Sequence, residues 1–67
     1  MSTASKLGDI IDLLATVRYL NEAVFMAASH PGLTKDATNA IQAVVGEMDS
    51  KLLAAEERVE EVMEALK

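Results

Sequence analysis

The sequence predicts an all-α protein: an antiparallel two-helix hairpin that dimerises into a four-helix bundle. Three observations carry that expectation. The hydrophobic fraction is 51% while aromatics make up only 3%, a single Tyr and a single Phe. The apolar mass is therefore Ala, Leu, Val, Ile and Met, which suits packed helices better than a sheet core. Turn-forming punctuation is concentrated at one place, Ser29-His30-Pro31-Gly32. On both sides of it apolar residues recur at helical spacing, and no strand-like alternation or hairpin turn is found.

The whole chain reads as one helical-hairpin domain. Helix 1 is expected over about 3–29. Ser2, Thr3 and Ser5 are all suited to cap its start, and Gly8 weakens its first turn. Pro31 pushes His30 out of the helical region, so the helix should stop near Ser29. The turn is expected over about 30–34, with Gly32 supplying conformational freedom. Thr34 then caps helix 2, and Asp36 lies in its first turn, facing the positive helix end. A reciprocal capping box is ruled out, because Ala37 stands where Glu or Gln would be needed. Helix 2 is expected over about 35–66, roughly 48 Å at 1.5 Å per residue.

The two helices differ in how much of their surface is apolar. With Leu7 at heptad position a, the seam of helix 1 runs through Ile10, Leu14, Val17, Asn21, Val24 and Ala28. Ile11, Leu13, Leu20, Phe25 and Ala27 widen it, with Arg18 as the exception, and even the far face carries Tyr19, Ala23 and Met26. A helix that is apolar almost all round is a buried one. Helix 2 has a narrower seam of Ile41, Val45, Met48, Leu52, Ala55, Val59, Val62 and Leu66. Its outer face carries Glu47, Ser50, Glu57, Glu60, Glu61 and Glu64, and Glu47 and Lys51 have i,i+4 spacing for an ion pair. Gly46, also on the outer face, costs about 1 kcal/mol relative to Ala.

These patterns point to self-association. A short turn makes the helices antiparallel neighbours, but helix 2 can cover only part of helix 1. At about 25 cal/mol per Å² of apolar surface, leaving several large side chains in water forfeits many kcal/mol. Pairing two hairpins, with helix 1 inside, covers the remainder. The expected oligomer interface comprises Leu7, Ile10, Ile11, Leu14, Val17, Asn21, Val24 and Phe25 with Met48, Leu52 and Val59. Asn21 is the informative member, since an amide in an apolar seam specifies register or oligomer state at some cost in stability.

Charge and chemistry narrow the function. Six Lys+Arg against eleven Asp+Glu give a net charge of −5 and a pI near 4.6. That balance argues against direct contact with nucleic acid, which needs cations to replace counterions, and against an anionic membrane surface. No secretory leader or spanning segment is read, so the expected location is the cytoplasm. Without Cys there is no disulfide and no thiolate. Glu56, Glu57, Glu60, Glu61 and Glu64 form an acidic run. Bundle proteins that hold two iron ions use inward Glu and Glu-x-x-His pairs. This chain has no Glu-x-x-His, so a solvated acidic face is expected, with no metal and no cofactor. The negative end of helix 2 already disfavours those carboxylates, and the hairpin topology should set Lys6 near them. His30 is a lone turn residue with no apparent triad partner, and Gly8, Gly32 and Gly46 are isolated rather than a phosphate loop. Enzyme activity is not expected.

The first reading is thus a non-catalytic, self-associating helical protein acting as a small protein–protein interaction module or regulator. Its main partner is itself, as a homodimer, with another protein as a further partner. Tyr19, Ala23 and Met26 are either buried in the dimer or a docking patch for that other protein. The alternative is a nucleic-acid-related regulator. A small hairpin pairing into a bundle resembles the plasmid RNA-binding Rop proteins in architecture, but helix 1 offers only Lys6 and Arg18 for phosphates. An acidic mimic of nucleic acid fits the charge better.

Overall fold

The computed structural model describes residues 2–67. Two helices, α1 (Thr3–Ala28) and α2 (Lys35–Ala65), pack against each other as an antiparallel hairpin, 51 Å long and about as thick as two helices, 15 × 14 Å. Of the three candidate caps for α1, Ser2 takes the role. Its side chain accepts a hydrogen bond from the Ser5 amide at 3.1 Å, satisfying one of the amides that a helix start leaves unpaired. At the other end Ser29 is the C-cap, and its hydroxyl donates to the Phe25 carbonyl at 2.8 Å. Thr34 caps α2 as expected, accepting from the Ala37 amide at 3.1 Å. α2 closes one residue earlier than expected, with Leu66 as its C-cap.

The turn forms differently from the sequence expectation. Among the described residues none adopts a positive φ, glycines included, so Gly32 contributes no left-handed conformation. The turn is instead stabilised by His30, whose Nδ1 accepts from the Gly32 amide at 3.2 Å. A Cβ at Gly32 would meet the His30 ring at 3.6 Å, an ordinary contact. Gly46 likewise has open space around it, so it marks no close approach of another element.

Among the described residues only Ala55 is buried, at 5% exposure. The packed seam between the helices is half-buried, and it is rotated from the expected one. In α1 the contact rows are Ile10, Val17 and Val24 together with Leu13 and Leu20. The row Leu7, Leu14 and Asn21, assigned to the seam from the heptad frame, lies exposed to one side. In α2 the expected Ile41, Met48, Ala55 and Val62 do face α1, but their neighbours in the contact are Ala37, Val44, Lys51 and Arg58. Val45, Leu52, Val59 and Leu66 remain exposed. A contact between two helices covers about two rows on each. Where the apolar stripe is wider than that, periodicity leaves the roll of the helices open.

Candidate interaction face

The roll gives the hairpin two unlike long sides. On one side the helices are tied by charges. Arg58 Nε lies 3.6 Å from Asp9 Oδ2, and Lys6 Nζ lies 3.5 Å from Glu61 Oε2. Arg58 Nη1 also donates to Glu61 Oε1 at 3.1 Å, and Lys51 pairs with Glu47 at 3.0 Å. The aliphatic stems of these long side chains lie along the seam while their heads reach water. A shallow hollow on this side is lined by Asp9, Asp12, Thr16 and Lys51 besides Leu13, Ala54 and Arg58.

The opposite side is an apolar groove. Ile10 and Leu14 of α1 and Leu52, Ala55 and Val59 of α2 line it, with Glu56 and Glu60 at its rim. Helical spacing extends the same side to Leu7, Ile11 and Phe25 on α1 and to Val45 and Met63 on α2. All five are exposed, Ile11 and Phe25 by about two thirds (67% and 68%). Among the described residues no ion pair joins the two helices along this side.

The residues expected at an oligomer interface therefore separate into two sets. Ile10, Val17, Val24 and Met48 are half-buried within the hairpin. Leu7, Ile11, Leu14, Asn21, Phe25, Leu52 and Val59 are exposed on the groove side. Asn21 continues the row of Leu7 and Leu14, so within one hairpin its amide faces open space rather than a packed seam. The expected docking trio is divided. Tyr19 and Met26 stand exposed on the outer face of α1, with the Arg18 guanidinium 5.7 Å from the centre of the Tyr19 ring. Ala23 instead lines an alanine-rich hollow near the turn, with Ala27, Ala37 and Ala40.

The acidic run needs one correction. Glu57 and Glu64 are exposed and Glu56 and Glu60 flank the groove. Glu61, assigned to the outer face, is instead half-buried and held by Lys6 and Arg58. The expected proximity of Lys6 is therefore realised through this one carboxylate. Sequence reasoning missed the Asp9–Arg58 pair. Its signal lay in the row Ala37, Val44, Lys51, Arg58, which recurs at 7-residue spacing and turns out to face α1. Among the described residues no three His, Asp or Glu side chains converge to hold a metal ion, and no helix is long and apolar enough to cross a membrane. The chain matches no protein-family model, no curated protein and no solved structure with which it was compared.

Proposed function

We propose that this chain is a non-catalytic, self-associating helical protein, a homodimer built as a four-helix bundle that serves as a small interaction module or regulator. The observation that carries the reading is the apolar groove side, left open by a hairpin in which only Ala55 is buried among the described residues. Its area supports the same reading. A folded monomer of 7.2 kDa is expected to expose about 4,100 Å², whereas the hairpin exposes 4997 Å². The excess is close to the ~800 Å² that each partner buries in a standard-sized interface. In the dimer, the outward Tyr19 and Met26 and the exposed carboxylates of α2 remain available to a second protein.

Sedimentation equilibrium across micromolar concentrations, with helicity followed on the same samples, tests the proposal. A helical species of twice the chain mass is expected. A well-folded helical monomer throughout that range would overturn it.

A further inference from the structure

Resting on the self-association just proposed, we infer that two copies of the hairpin pack groove to groove with their turns at the same end of the bundle, so that α1 of each copy lies against α2 of the other. Two two-fold arrangements bring the grooves together. In one the two-fold axis runs along the helices and the turns coincide. In the other it runs across them, the turns lie at opposite ends, and each helix meets its own counterpart.

Charge separates the two. Along the rim of the groove side, α1 presents the row Ile11, Arg18 and Phe25 at 7-residue spacing, with one cation and no anion in the row, and Glu22 stands one turn from Arg18. The matching row of α2, Gln42, Asp49 and Glu56, carries two anions and no cation, and Glu60 adds a third anion at the groove rim. Arg18 has no ion-pair partner among the described residues of its own hairpin. The pairs Lys6–Glu61 and Asp9–Arg58 fix the antiparallel register, which sets Arg18 level with Asp49. With the turns together, the α1 rim of one copy meets the α2 rim of the other at the same level, and Arg18 reaches the partner's Asp49. With the turns apart, α2 packs on α2, so the acidic rims of the two copies, each with Asp49 and Glu56, face one another. Like charges there oppose association.

Asn21 selects the same arrangement. It continues the Leu7–Leu14 row, which points towards the middle of a bundle formed this way. With the turns together, the two Asn21 side chains share one layer across the two-fold axis, where each amide can donate to the other. With the turns apart and the axis at the middle of the hairpin, the two Asn21 side chains lie at different levels, each set against the partner's apolar residues with its polar atoms buried without partners.

The chain contains no Cys, so single-site spin labels report the arrangement directly. Gly32→Cys places a label in the turn, where the added Cβ meets only ordinary contacts, and Lys67→Cys independently labels the other end. Pulsed dipolar distances within roughly 20 Å, two interhelical spacings, are expected for both dimers. Distances near the 51 Å length of the hairpin, or both distances together, overturn the arrangement while leaving self-association standing. A monomer by sedimentation of the same samples overturns both. As a second readout, Arg18→Asp should weaken the dimer roughly fivefold at low salt, and adding Asp49→Arg should restore it. Failure of the double variant to recover argues against the pairing.

Discussion

On one long side of the hairpin, Arg58 reaches across to Asp9 at 3.6 Å and Lys6 reaches Glu61 at 3.5 Å. On the other, Leu14 and Leu52 line an open groove, 48% and 39% exposed. The same two helices supply both sides, and the difference lies in which needs are met within one chain. The charged side finishes its interactions locally: its cations are paired, its stems lie on the seam, and water solvates the rest. The groove side has no such completion, because Leu, Ile, Val and Phe gain only by leaving water. The two sides therefore make different demands on the environment. The charged side gains little from being covered, whereas covering the apolar side would take its Leu, Ile, Val and Phe out of water.

Charging the groove is expected to have the largest effect. Leu14→Glu with Leu52→Glu places two carboxylates where apolar surface is to be covered, and several kcal/mol of association and folding free energy should be lost. Circular dichroism and sedimentation at micromolar concentration should show a monomeric chain that has lost much of its helicity. Thr16→Lys adds a charge on the other long side and should leave the mass unchanged. If both variants behaved alike, the distinction between the sides would collapse.

Asn21→Leu sharpens the comparison by completing the apolar row. It is expected to raise stability by about 1–2 kcal/mol, because the amide, exposed in the single hairpin, would be buried in the proposed bundle and would no longer have to be satisfied. It should also loosen the choice between turn arrangements, seen as a second population in the spin-label distances. A variant that was less stable and still a single clean dimer would remove Asn21 from its specifying role.

Gly46→Ala probes the helix itself rather than either side. With open space around a Cβ at that position and helical backbone through it, the change should stabilise by about 0.5–1 kcal/mol. The readout is a rise in Tm without a change in mass. A fall in Tm would reveal a close approach at Gly46 within the assembly.

The smallest effect belongs to the charged side. Its pairs are partly exposed, with side-chain exposures of 20% for Lys6 and 41% for Glu61, so solvent screens them. Glu61→Gln should cost about 0.5 kcal/mol at low ionic strength, and less in 1 M salt, where the screening length is about 3 Å. Chemical denaturation with urea at the two salt concentrations measures it. An equal loss in both would mean that Glu61 acts through packing rather than charge.

The sequence by itself determined the elements and their order. Pro31 ends α1, Ser2 and Thr34 supply side-chain oxygens for the two caps, and the apolar spacing allows only helices. These are local effects, decided within a few residues by sterics and hydrogen bonding, so they can be read without tertiary information. It also determined the quantity of apolar surface on α1, which exceeds what α2 can cover. What only the tertiary structure decided is the roll of each helix. Periodicity says that Leu7, Ile10, Leu13 and Leu14 share a broad stripe, but not which two rows meet α2. That choice rests on the joint fit of both helices, including the places found for Lys6, Asp9, Arg58 and Glu61 on one side. Glu61 shows why: its heptad position reads as outer, yet a modest rotation brings its carboxylate between two cations. Rolling a helix within a wide apolar stripe changes the buried apolar area little, so weaker and longer-range interactions settle the angle, and these depend on residues distant in the chain.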